Sequence, residues 1–294
     1  MAAELRKRAI WFRAVGRHRA RLEPLQADEI LDADLSELRS AGAAARGVDT
    51  IIYAVGAPYH RFDLHPRLMS TTVEAAAVTK VERLMVVSAV YSYGRPQTPR
   101  VAETHPRLPH TYKGRMRKEQ EDIALKAQKD GLFQAAVVRL PDFYGPYADN
   151  SLANPILRAG LAGKKANWLG SVDLPHEFIF VPDAGRLIVE LASRPGSYGE
   201  AWNLGGAGTI TGREFIAEAC RQAGRQPKWR TAGPTMLRIA GWFNPMMKEL
   251  VEMQYLQQTP VILDDTKAER LLGGLSKTAY PEGIAQTLRW IRGS

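Results

Sequence analysis

The stretch from residue 83 to residue 146 narrows the choice of fold more than any other part of the chain. Arg83-Leu-Met-Val-Val-Ser-Ala-Val90 is a nearly continuous apolar run rich in β-branched residues, the pattern of a strand buried on both faces. It ends in Tyr91-Ser-Tyr-Gly94, where polar groups take over. Thr111 to Asp130 is dense in Lys, Arg, Glu, Gln and Ala and reads as a helix stopped near Gly131. Phe133-Gln-Ala-Ala-Val-Val-Arg-Leu140 is a second buried strand that runs straight into Pro141-Asp-Phe-Tyr-Gly-Pro146. Strand, long crossover helix, strand is a βαβ unit with parallel strands. Ligands of open parallel sheets sit beyond the carboxyl ends of the strands. Ser88 to Tyr93 and Arg139 to Tyr144 are therefore the first places to expect chemistry.

The same rhythm extends towards the N-terminus. Ile10 to Val15 predicts a strand leading into Gly16-Arg-His-Arg-Ala-Arg21, and Glu29 to Leu35 a short strand and turn. Ser36 is a candidate cap for a helix over Glu37 to Arg46. Val48 to Gly56 is another buried strand, ending in a glycine where the backbone can pass close to a ligand. Leu64 to Lys80 is helical, and Ala75, Ala76 and Ala77 allow close packing. The expectation is an α/β fold: a doubly wound, Rossmann-like parallel sheet over residues 1–150 and a smaller C-terminal lobe over 151–294. In that lobe Ile156–Leu161, Ala184–Ala192 and Arg213–Ala223 read as helices, and Glu177–Val181 and Ala201–Leu204 as strands. Met236 to Tyr255, with Trp242, Phe243, Met246, Met247 and Met253, is an apolar helical stretch broken at Pro245. It suits a pocket wall, a partner surface or plain core.

The totals exclude several classes. No apolar run is long enough to span a bilayer as a helix, and the start lacks an apolar core followed by a cleavage site. A single cysteine, Cys220, rules out an internal disulfide framework and any all-cysteine metal site, and nothing else has metal-ligand spacing. A cytoplasmic protein is the expectation. The net charge of +9 would suit nucleic acid or a phosphate-bearing small molecule. Its basic residues are spread along the chain and alternate with acids. Even the densest cluster, Lys113 to Lys118, is followed at once by Glu119, Glu121 and Asp122. That pattern favours a solvated face plus a phosphate-bearing ligand over a nucleic-acid footprint.

Several segments together resemble the extended or atypical short-chain dehydrogenase/reductase family, in its NAD-dependent epimerase/dehydratase branch. They are Val15-Gly-Arg17, Asp32-Ala-Asp-Leu35, Ile51-Ile-Tyr-Ala-Val-Gly56, Val86-Val-Ser88, Arg139 to Pro146, His176 to Asp183, Trp202 to Gly206 and Gly283 to Trp290. No single one is specific; their order and spacing are. The resemblance implies an NAD(P)-dependent oxidoreductase or epimerase acting on a small polar substrate such as a sugar nucleotide. It also implies a lobe that closes over the substrate, and a homodimer formed by pairing helices 64–80 and 112–129. Family members open with a central strand and a Gly-rich turn that meets the cofactor pyrophosphate. This sequence has no such opening, and Ala2 to Arg8 resembles the helix that follows the turn. The expectation is an N-terminally shortened form of a longer ancestor; the alternatives are a replacement segment or a compromised fold.

The resemblance also carries site residues. The family's Ser, Tyr and Lys set, in which the Lys lowers the Tyr pKa for acid/base work, is not reproduced. Tyr112 is followed four positions later by Met116, alignment on Arg117 to Glu121 puts Lys113 and Arg117 in the Tyr and Lys places, and the Ser place falls on Ala89. Tyr112, Lys113 and Ser88 stand as catalytic candidates, with Lys118 or the pair Tyr91 and Tyr93 as substitutes. Arg17, and after it Arg13, are candidates for the 2′-phosphate of NADP, with NAD the alternative. Asp34 and Leu35 match the adenine-facing segment, and Ala54, Val55 and Gly56 the turn near the ribose. Ser88, Arg139 and Pro141 complete the expected cofactor contacts; Tyr91, Asp142, Tyr144 and His176 are the expected substrate contacts. The second functional class left open is a dinucleotide-fold protein without turnover, serving as a redox sensor or RNA-binding module.

Overall fold

The apolar β-branched runs form strands close to their expected limits, and the alanine- and lysine-rich stretches form the helices between them. The structure is a computed structural model that describes residues 1–148, 150–232 and 251–293. The chain forms two compact units and passes between them several times.

The first unit comprises Met1–Ser88, Met116–Arg139 and Gly185–Trp202. It begins with α1 (Ala2–Lys7), β1 (Arg13–Gly16), α2 (Arg19–Leu22), β2 (Glu29–Asp32) and α3 (Leu38–Ala45). β3 (Thr50–Tyr53), α4 (Leu64–Thr79), β4 (Arg83–Ala89), α5 (Tyr112–Lys129) and β5 (Gln134–Leu140) follow. β1 pairs in parallel with β2, Arg13 opposite Glu29. β3 pairs in parallel with β4, Thr50 opposite Arg83, and their sheet continues through β5 to the strand Ala201–Asn203. In the doubly wound order the first strand lies between the second and the fourth. The strands in those places here are β1 and β3, and each is a sheet edge, so the described residues form two sheets where one was expected.

Burial on both faces explains the strand composition. Leu84, Val86, Ala135 and Val137 are buried from β4 and β5 and pack with Leu68, Met69 and Ala76 of α4 and with Ala124 of α5. α4 stops at Lys80, which takes the left-handed conformation (φ 61°), and α5 is followed by Gly131 at φ 76°. Ser36 does not cap α3. The helix starts one residue later, with Glu37 at the cap position and no side-chain cap. The Ser36 side chain instead bonds back to Asp34, whose Oδ1 also accepts the Ser36 N–H at 2.8 Å in an Asx turn.

The second unit comprises Ala89–Arg115, Leu140–Ala184 and the described part of Asn203–Ser294. β6 (Asp142–Tyr144) pairs in parallel with β9 (Phe178–Phe180), and β7 (Ala166–Leu169) with the strand Trp229–Ala232. The short β8 (Pro175–His176) pairs antiparallel with Ile210–Thr211. Aromatic rings fill this core: Tyr144 stacks on Tyr280 and meets Phe180 and Phe215. Thr211 and Glu214 form a reciprocal capping box that starts the helix Gly212–Gln222. Residues 236–250 of the apolar Met236–Tyr255 stretch lie outside the described residues; Met253 and Tyr255 are buried. No helix among the described residues is long and apolar enough to cross a membrane.

Candidate functional site

In the first unit β3, β4 and β5 are neighbours in one sheet, so their carboxyl ends lie along one edge. Gly56 follows β3 and is exposed, and a methyl group on it would meet nothing within 4 Å. Ser88 and Arg139 are the penultimate residues of β4 and β5. Both turn to the same acid on α5. Ser88 Oγ donates to Glu121 Oε1 at 2.6 Å, while Arg139 Nε and Nη2 donate to Glu121 Oε2 at 3.0 and 2.7 Å. All three residues are buried, so the carboxylate trades solvent for a hydroxyl and a guanidinium.

Beside them lies a group that the sequence reading did not single out. The Tyr53 hydroxyl at the end of β3 and the Gln120 side chain of α5 are buried and reach each other, and both ring nitrogens of His65 on α4 are buried with no hydrogen-bond partner among the described residues. Arg117 joins them: its guanidinium donates to Gln120 Oε1 at 2.9 Å and sits over the Phe62 ring, 5.7 Å from the centroid. Burial, with Arg117 adding, pushes the His65 pKa down to about 3, so the ring is neutral. Burial likewise pushes the Tyr53 hydroxyl up. Buried polar groups without partners are rare in folded proteins. The sequence signal was present, a tyrosine and a histidine at apolar positions, but their meeting with α5 needed the fold.

Arg17 is exposed just beyond β1, and Asp34 is exposed just beyond β2. The Ser36 backbone and side chain hold the Asp34 carboxyl below the usual range, with Arg17 and Arg67 adding to the effect, so both arginines lie near it. Leu35 and Val55 pack partly against the core, and Ala54 is exposed. Arg13 sits at the opposite end of β1. Its guanidinium is held by Glu29 at 2.8 Å and by the carbonyls of Ala44 and Arg46.

The remaining expected residues belong to the second unit. Tyr112 is 46% exposed. Lys113 is buried, with its Nζ 2.9 Å from Glu252 Oε2. Tyr91 is half-buried and Pro141 buried. Asp142 is half-buried, and desolvation pushes its carboxyl up to about 6. Tyr144 is buried in the aromatic core. His176 is buried edge-on to Trp168, and its Nε2 has no partner; burial lowers it to about 4. Its neighbour Glu177 accepts the backbone N–H groups of Gly206 and Leu263 at 3.1 and 2.9 Å, and burial raises it to about 7.

The first unit is thus a doubly wound, Rossmann-like α/β fold with polar groups gathered where its strands end. Residues 4–205 match the model of the NAD dependent epimerase/dehydratase family, and the chain belongs to that family. UDP-glucuronic acid 4-epimerase from Bacillus cereus, solved in complex with NAD, matches with a TM-score of 0.80 and 15% identity over 99% of this chain and 93% of that one. The dTDP-glucose 4,6-dehydratase DesIV from Streptomyces venezuelae, with NAD bound, matches with a TM-score of 0.81 and 20% identity over 100% of this chain and 94% of that one. At such identities the likeness is one of fold. No curated protein matches the sequence.

Proposed function

We propose that the protein is a dinucleotide-dependent oxidoreductase or epimerase acting on a small polar substrate of sugar-nucleotide type. The observation that carries this reading is the buried polar group of Tyr53, His65 and Gln120 beside Arg117 at the carboxyl end of β3, in a chain of this family. Neutral imidazole, amide and phenol are the partners that ribose hydroxyls need, and Arg17 and Arg67 supply charge for phosphate. Asp34, Leu35, Ala54, Val55 and Gly56 would line the adenosine half, with Ser88 and Pro141 nearer the nicotinamide. Arg17 would favour NADP over NAD. Arg139 would act through Glu121, and Arg13 would brace the far end of β1.

When bound, the nicotinamide supplies the hydride acceptor or donor. The protein's part is to move a proton, and Tyr112, next to Lys113, is the candidate group. The Ser88 hydroxyl donates its hydrogen bond to Glu121, so its oxygen is left to accept one. Asp142, Tyr91, Tyr144 and His176 are the candidate substrate contacts. The protein would work in the cytoplasm, with a single cysteine and no disulfide framework, and would pair through helices 64–80 and 112–129, where Val78 is 75% exposed.

A second reading, dinucleotide binding without turnover, is favoured by one observation: the Lys113 ammonium is already held by Glu252. Fluorescence titration with NADPH and NADH, followed by product analysis with UDP- and dTDP-sugars, separates the two. Binding with conversion supports the first reading, and binding without conversion the second. Binding of neither dinucleotide would sink both.

A further inference from the structure

The second unit buries a lysine whose charge is answered by a residue 139 positions away. Lys113 stands in the first turn of the 18-residue α5 and is 1% exposed, and Glu252, the partner, is 26% exposed. One carboxylate does two things there. Its Oε2 accepts from the Lys113 ammonium at 2.9 Å, and its Oε1 accepts the Lys113 backbone N–H at 3.0 Å. An oxyanion bridging an ammonium and a free N–H of a helix's first turn is how proteins commonly hold phosphate and carboxylate ligands.

Further cations lie near this pair. The pKa of His110 is lowered first by burial and then by Arg95, with Glu252 opposing and Arg115 adding, which places both arginines within electrostatic reach of the same residues. His110 and Arg95 also lie against the Tyr255 ring, three residues beyond Glu252, at 4.5 and 5.7 Å. Among the described residues Arg95 and Arg115 add positive charge near this pair. A buried ammonium is also a poor choice for stability alone, because desolvating it costs several kcal/mol and an apolar side chain of similar volume packs as well.

We propose that Glu252 is a built-in plug. Its carboxylate occupies an oxyanion site formed by the Lys113 ammonium and backbone N–H, and a phosphate group of an incoming ligand displaces it. The site stands on the Lys113–Glu252 geometry alone; only the identity of the natural ligand rests on the sugar-nucleotide reading above.

The test uses the full chain and inorganic phosphate as probe, with chloride at matched ionic strength as control. Glu252→Gln keeps a carbonyl that can accept the Lys113 N–H but removes the competing charge. Thermal-shift titration is expected to show saturable stabilisation by phosphate with half-saturation ~10-fold lower in Glu252→Gln than in the wild type. The effect should vanish in Lys113→Met/Glu252→Gln. Should Glu252→Gln fail to fold, Glu252→Asp, whose shorter side chain retracts from Lys113, is expected to respond at an intermediate concentration. Equal phosphate responses in the wild type and the Glu252 variants, or a response that survives removal of Lys113, would overturn the proposal. Dinucleotide binding is measured separately, so either result can fail without the other.

Discussion

The Arg139 guanidinium lies 2.7 Å from the Glu121 carboxylate, and the two side chains are 2% and 0% exposed. This pair ties the last turn of β5 to the middle of α5. Removing one member leaves the other charged and buried without this counter-charge. Glu121→Ala is therefore expected to cost about 3–5 kcal/mol, and Arg139→Met a similar amount. The double variant Glu121→Leu/Arg139→Met should recover most of the loss. Urea unfolding of all three checks this; additive losses in the double variant would contradict a coupled pair.

Ser88 adds a third contact to the same carboxylate. A hydrogen bond to a charged group contributes about 1.5–3 kcal/mol, and Ser88→Ala should destabilise by an amount in that range. If Ser88 also contacts a bound dinucleotide, Ser88→Ala will weaken nucleotide affinity beyond its effect on stability. Calorimetry of unfolding together with NADPH titration separates the two contributions.

His65 makes acid stability a readout of the buried polar group. Its folded pKa of about 3 lies below the unfolded value of 6.5. Between those values the unfolded chain binds a proton that the folded chain does not. Stability should therefore fall as the pH drops below 6.5, by up to about 1.4 kcal/mol per pH unit, until the pH nears 3. Glu177, raised to about 7, works the other way: its contribution is present below about 4.5 and is lost as the pH rises through 7. His65→Phe should flatten the acid limb and be neutral or stabilising near pH 7, since it removes two unsatisfied nitrogens. It should also lower dinucleotide affinity. Unchanged affinity would remove His65 from the site.

Gly206 tests the loop that Glu177 organises. Its N–H donates to Glu177 Oε1, and a methyl group on it would overlap the Phe178 carbonyl, which is backbone and cannot move aside cheaply. Gly206→Ala is expected to cost at least about 1–3 kcal/mol by overpacking. Gly196→Ala, where the added methyl group meets nothing within 4 Å, is the control and should stay within about 0.5 kcal/mol. Thermal denaturation of both variants distinguishes a steric effect from a general glycine effect.

Local information was enough for the strands and helices of residues 83–140. An apolar β-branched run and a charged, alanine-bearing run differ in their preferred backbone whatever surrounds them, so β4, α5 and β5 appear within a residue or two of where the sequence puts them. The sequence order also placed Gly56, Ser88 and Arg139 at successive strand ends. It did not determine which way those side chains turn. Ser88 and Arg139 face Glu121 because α5 crosses their strands and a buried carboxylate needs donors, a requirement that arises only after packing. The pairing of Lys113 with Glu252 and the gathering of Tyr53, His65, Arg117 and Gln120 are likewise tertiary facts. Each joins residues distant in sequence, and the low dielectric that gives those contacts their force exists only inside the folded chain.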